Sequence, residues 1–198
     1  MAELQIYDAR LKPIAEKVLA GVRLSSDDGI ALYRTNDLLA AGWLANYVRE
    51  KRHGNTCYFN INRHINPTNV CVAHCRLCAF GRDPDANGAY TYALEEIWQR
   101  AAQGVAEGAT EFHIVGGLHP DLPFSYFTDL LRGLKQRFPH VHLKAFTMVE
   151  VQYFAKIAKL SVADTLRAMK EAGVDSLPGG GAEIFNPRVR KVICAHKT

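Results

Sequence analysis

Three cysteines, Cys71, Cys75 and Cys78, stand four and then three residues apart in "NVCVAHCRLCAF", and the chain of 198 residues holds two others, Cys57 and Cys194. Five thiols, three of them crowded, do not make an even disulfide framework and point to metal or redox chemistry in a reducing compartment. Thiolates are soft ligands that suit zinc and iron-sulfur clusters. Structural zinc takes four protein ligands in a closed tetrahedron, so it would have to recruit His74, Cys57 or Cys194. A 4Fe-4S cluster on three thiolates instead keeps one iron open, which an amine and a carboxylate of one small molecule can chelate. The triad and the lack of a paired C-x-x-C partner favour the open cluster. The alternative from another class is a non-catalytic zinc-stabilised α/β module.

The elements that must position this loop follow from hydrophobic periodicity. Two helices come first, Asp8 to Leu24 and Arg34 to Gly54, the second with a Thr35, Asn36, Asp37 start signal and Gly54 as its stop. Residues 1–55 are thus expected to form an N-terminal helical cap, and residues 56–198 the N-terminal part of a barrel. Four strands are predicted there: "CYFNI" from Cys57, "EFHIV" from Glu111, "VHLKAF" from Val141 and "VDSL" from Val174. Amphipathic helices separate them, Leu94 to Ala106, Phe124 to Phe138 and Ser161 to Ala172, the last opening on a Ser161-x-x-Asp164 box and closing at Gly173. Such alternation marks the α/β class with a parallel sheet, in a barrel or an open sheet. A complete (β/α)₈ barrel takes about 250 residues. The expectation is therefore an incomplete βα barrel of about four units, the front part of a longer chain, that turns over poorly alone.

Composition narrows the class of partner. The formal charge of +4 comes from 24 basic and 20 acidic residues mixed along the chain, which leaves no electrostatic footprint for nucleic acid and suits a small anion better. No apolar run approaches the roughly 18 residues of a membrane span, and the start "MAELQIYDARLKP" lacks a secretory pattern, so a cytoplasmic protein without a membrane partner is expected.

The block "NRHINPTNVCVAHCRLCAFGRDP" resembles the radical S-adenosylmethionine (SAM) enzymes of the futalosine menaquinone pathway and their relatives that make the deazaflavin precursor. Within that group "CAFGRD", "ATEFHIVGGLHPDLPF", "HVHLKAFTMVEV" and "SLPGGGAEIF" are most similar to the aminofutalosine synthases, from about Tyr33 onward. The resemblance implies a TIM-like radical SAM βα barrel. It also implies that Cys71, Cys75 and Cys78 hold a 4Fe-4S cluster and that SAM is a consumed co-substrate. The implied reaction adds the 5'-deoxyadenosyl radical to 3-[(1-carboxyvinyl)oxy]benzoate to give 6-amino-6-deoxyfutalosine. The implied partners are that small anionic aromatic substrate and a reducing electron donor such as flavodoxin or ferredoxin. Dehypoxanthine futalosine cyclase and the deazaflavin precursor synthase are the alternatives within the group.

The same resemblance assigns further residues. Gly116 and Gly117 occupy the place of a Gly-Gly-Glu segment whose backbone meets the methionine amine, with Leu118 where that pattern has Glu; a tight βα turn would need the same glycines. Glu150 would accept from the ribose hydroxyls or the amine, or else be a solvated first-turn helix residue. Phe80, two positions past the third cysteine, would face adenine in place of Leu77, or be core. For the substrate carboxylates the candidates are Arg82 and His64, with Arg63, His119 and Lys144 behind them; Arg matches a carboxylate with two parallel hydrogen bonds. His74 reads as a solvated loop residue. Gly179 to Gly181 read as a backbone turn lining the SAM pocket, with Glu183 as a weaker ligand candidate.

Overall fold

Strict alternation in "EFHI" decides which way the sheet faces: Phe112 and Ile114 are fully buried, while Glu111 and His113 between them stay partly exposed. The computed structural model describes residues 5–181, 183–195 and 197. It divides between Phe59 and Asn60 into two compact units. In the first, a 3₁₀ turn at Ala9–Leu11 leads into α1 (Lys12–Ala20), followed by α2 (Ser26–Arg34) and α3 (Leu38–His53). The second holds β1 (Asn62–Ile65), α4 (Leu94–Ala106), β2 (Glu111–Ile114), α5 (Phe124–Arg137), β3 (His142–Ala145), α6 (Met148–Ala158), α7 (Val162–Glu171) and α8 (Pro187–Ile193). Among the described residues no helix is long and apolar enough to cross a membrane.

The strands pair in parallel in the order β1-β2-β3, so that His64, His113 and Lys144 stand in one cross-strand row and Ile65, Ile114 and Ala145 in the next. Helices α4 to α7 contribute their apolar stripes to the face that carries Phe112, Ile114, Leu143 and Ala145. At the centre Phe127, Phe146 and Phe154 meet with ring centroids 4.2 to 5.5 Å apart. Helix α4 leans on α5 where Trp98 covers Gly133, and a Cβ at Gly133 would stand 2.4 Å from the indole ring.

Four expectations are corrected. The single helix Asp8 to Leu24 ends at Ala20, because Gly21 takes a left-handed conformation, and α2 begins after it on a Ser25/Asp28 capping box. The first strand is not Cys57 to Ile61 but Asn62–Ile65: Tyr58 and Phe59 are exposed, and pairing starts where Ile61 O accepts Thr110 N. The fourth predicted strand is reduced to one parallel bridge, Ser176 against Lys144. Helix α6 was anticipated only as a first turn holding a solvated Glu150; it runs Met148–Ala158 and opens on a capping box of Thr147 and Glu150, which is buried.

Candidate functional site

The cysteine loop follows β1 and is closed by its own ends. Cys71 N donates to Arg82 O at 3.0 Å and Arg82 N to Asn69 O at 2.8 Å, a parallel bridge between Val70 and Arg82. Inside it, Cys78 N donates to Cys75 O, and Gly81 N to Cys78 Sγ at 3.4 Å. Cys71, Cys75 and Cys78 line one pocket of about 270 Å³ with His74, Gly81, Arg82 and Asp83. Burial pushes the Cys75 thiol up, against the pull of the Lys197 ammonium. Among the described residues no three His, Cys, Asp or Glu side chains gather as ligands of a single metal ion. A roomy pocket that gathers three thiols fits a multi-iron cluster, whose thiolates sit on separate irons, better than one tetrahedral ion.

This loop is fastened to the turn after β2. Gly117 N donates to Thr68 O at 2.9 Å and Val72 N to Leu118 O at 3.0 Å. The glycine at 117 is required, because a Cβ there would stand 2.1 Å from Val70 O. Gly116 N donates to Glu150 Oε1 at 2.8 Å, while Glu150 Oε2 accepts from Thr147 N and Thr147 Oγ1, both at 2.7 Å. Both glycine N–H groups are thus committed to protein acceptors. Among the described residues no hydrogen bond reaches the carbonyls of Gly116 or Gly117.

Glu150 is placed by strain and packing together. Phe146, at the end of β3, is fully buried yet has φ of 65°, a left-handed conformation that costs a bulky residue about 1–3 kcal/mol. Its ring, packed on Phe127 and Phe154, holds that turn and delivers Thr147 as the α6 N-cap. The Glu150 carboxyl is buried, which pushes it up to about 7 against the opposing pull of its three donors.

Residues 65–198 match the profile of the Radical SAM superfamily. The chain belongs to that superfamily. Radical SAM membership implies a 4Fe-4S cluster and SAM, and the thiol pocket suits the first. The chain is 46% identical over 97% of its length to the aminodeoxyfutalosine synthase of Thermus thermophilus, covering 52% of that protein. It is 40% identical over 96% of its length to a 5-amino-6-(D-ribitylamino)uracil--L-tyrosine 4-hydroxyphenyl transferase of Microcystis aeruginosa, again covering 52%. The chain therefore spans about half the length of the curated relatives it matches. Among solved structures, methylornithine synthase superposes with a TM-score of 0.69 at 17% identity, over 93% of this chain and 52% of the other, which shows a shared fold.

In this radical SAM chain the other expected site residues separate into groups. Phe80 is 38% exposed and meets Tyr90 edge-on, so it is loop rather than core. Arg82 turns Nη1 onto the carbonyls of Ala79 and Gly81, bracing the loop, and among the described residues its Nε and Nη2 make no hydrogen bond. His74, at φ 48°, is exposed opposite Asp83. Arg63 lies on the helix side of the sheet, paired with Glu107 at 3.2 Å and packed on Gly104, away from the loop. His64 and Lys144 lie on the other side. His119 accepts Asp121 N on Nδ1, and burial pushes its imidazole below the ordinary range. Glu150 is not a solvated first-turn residue: it is buried, with Oε1 accepting from Gly116 N and Oε2 from Thr147 N and Oγ1. Gly179 to Gly181 cover the start of α6, with Met148 N donating to Gly179 O. Glu183 pairs with Lys197.

Sequence reasoning treated Cys194 only as a spare zinc ligand. The structure buries it at the end of α8, where Ile193 O accepts Arg76 N, near enough to Cys75 to act on its titration. Nothing local signals that approach, since more than a hundred residues separate the two segments.

Proposed function

We propose that this chain carries the cluster- and SAM-binding part of a radical SAM transferase of the aminofutalosine synthase type. The observation that carries the reading is the seam between the thiol loop and the Gly116–Gly117 turn. An ammonium needs acceptors, and the turn that is fastened to the thiol loop carries two carbonyls without a hydrogen bond among the described residues, while both neighbouring N–H groups are occupied. Cys71, Cys75 and Cys78 would hold the cluster. When bound it supplies the electron that cleaves the sulfonium bond of SAM, giving methionine and the 5'-deoxyadenosyl radical.

The chain's residues do the rest by position. Gly116 and Gly117 carbonyls accept from the methionine ammonium, and Phe80 offers a half-exposed ring to adenine. Leu118 is buried and brings no side-chain acceptor, so the amine relies on backbone alone. Arg82 keeps Nε and Nη2 for a carboxylate, and the acceptor of the radical is 3-[(1-carboxyvinyl)oxy]benzoate, giving 6-amino-6-deoxyfutalosine. A small reducing protein such as flavodoxin or ferredoxin delivers the electron. The name of the Thermus thermophilus relative, an aminodeoxyfutalosine synthase, supports a synthase of this type. A second reading, transfer from L-tyrosine as the Microcystis aeruginosa relative's name describes, is favoured by its similar coverage.

Anaerobic reconstitution with iron and sulfide tests both levels. The expected result is broad visible absorbance, about four irons per chain, and reductive release of methionine, all lost in Cys71→Ala. One stoichiometric zinc in place of iron would overturn the cluster assignment. Product analysis with the enol-ether acid, against L-tyrosine plus 5-amino-6-(D-ribitylamino)uracil, separates the two reactions.

A further inference from the structure

The sheet has a second face that the helices leave alone. Phe112, Ile114, Leu143 and Ala145 point into the helical core, so the alternating residues point the other way: Glu111 and His113 on β2, His142 and Lys144 on β3. In register, His64, His113 and Lys144 form one row across all three strands, one residue short of the strand ends. The imidazoles of His64 and His113 lie 5.0 Å apart at 64°.

We propose that the His64–His113–Lys144 row binds a carboxylate of an aromatic acid. Two imidazoles and an ammonium side by side make a place that an anion can fill. Among the described residues none of the three has an ion pair or a hydrogen bond, although His113 and Lys144 are partly buried. The carboxylate on this face, Glu111, acts on His113 more weakly than burial, His64 or Lys144 do, and its Oε1 is buried without a donor. Burial first, then His64 and Lys144, disfavour the charged form of His113 against the opposing pull of Glu111. Arg63, the longer donor on β1, is turned to the opposite face and spent on Glu107. A carboxylate laid across the row takes Lys144 as its ion-pair partner and ring N–H donors from the histidines, with an aryl ring beside the imidazoles.

This inference rests on the proposed reading that the chain acts on a carboxylated aromatic substrate, but its test needs no cluster. Iron-free chain is titrated with isophthalate, a ring bearing two carboxylates, and with isophthalamide, its neutral analogue. The ring-proton NMR signals of His64 and His113 are followed, assigned through His64→Gln and His113→Gln. Isophthalate is expected to move both signals, with isophthalamide inert. Lys144→Gln is expected to weaken binding about tenfold and Lys144→Arg to restore most of it. Unmoved signals, equal binding of the amide, or unchanged affinity in Lys144→Gln would overturn the assignment. Should Lys144→Gln lose its circular dichroism, the exposed His64→Gln variant is read instead, where about threefold weakening supports the row and none refutes it. Failure of iron reconstitution would sink the cluster assignment and leave this result standing.

Discussion

Glu150 holds an unusual place for a carboxylate, 3% exposed and without a cation among its partners. Its pKa is raised from 4.5 to about 7, chiefly by burial. The native state therefore binds a proton that the unfolded state releases, and stability falls as pH rises through that window, by about 3 kcal/mol at most. His113 and His119 act in the opposite sense, because their lowered pKa values cost stability as pH falls below the ordinary histidine range. Urea denaturation of the wild type and Glu150→Gln between pH 4.5 and 8 separates the two. The difference between the proteins should shift steadily to about pH 7 and then level off; parallel curves would mean that Glu150 is ionised throughout. Gly117 gives a sharper residue-scale outcome. Its Cβ in Gly117→Ala would meet Val70 O at 2.1 Å, so the start of the thiol loop must move. Iron uptake should fall several-fold while far-ultraviolet circular dichroism stays near that of the wild type.

At the scale of elements, local signals were legible where one segment decides its own structure. Helix α4 falls on its predicted bounds because Ile97, Ala101 and Gly104 repeat at helical spacing and acidic residues fill its first turn. β2 and β3 fall within their predicted runs for the matching reason, a period of two. The failures came where a distant partner decides. "CYFNI" has the composition of a strand, yet the β1–β2 register begins pairing only at Ile61, so its aromatics stay exposed. Thr147-x-x-Glu150 is a capping box in plain sight, but its role depends on Gly116, 34 residues earlier. Packing between α4 and α5 offers a test of the same kind. Gly133→Ala would drive a methyl into the Trp98 ring, which is also held by the Arg137 guanidinium 3.8 Å from its centroid. The expected cost is about 1–3 kcal/mol in urea denaturation. A substitution within about 0.5 kcal/mol would show that α4 and α5 can separate at no cost.

For the whole molecule, the thiol triad was readable from spacing, whereas its surroundings come from three separate stretches of chain. The loop itself spans Asn69 to Arg82, the turn after β2 fastens it at Thr68 and Val72, and α8 fastens it at Arg76. The last of these brings Cys194 and Lys197 toward Cys75, so a segment at the far end of the sequence sets the electrostatics of one thiol. If α8 is part of the grip, ending the chain after Phe185 should leave the β1-β2-β3 sheet and its helices intact, because the core cluster draws no residue from beyond Leu177. Iron retention should suffer instead. Arg76 N would lose its acceptor, and Cys75 would lose both its cover and the nearby ammonium that favours its thiolate. The shortened chain, reconstituted anaerobically and then gel-filtered, should keep less than about half the iron of the 198-residue chain. Its urea midpoint should move little. Equal iron in the two proteins would confine the grip to the loop and the Gly116–Gly117 turn, and a collapsed midpoint would make α8 a part of the fold's core rather than of the site.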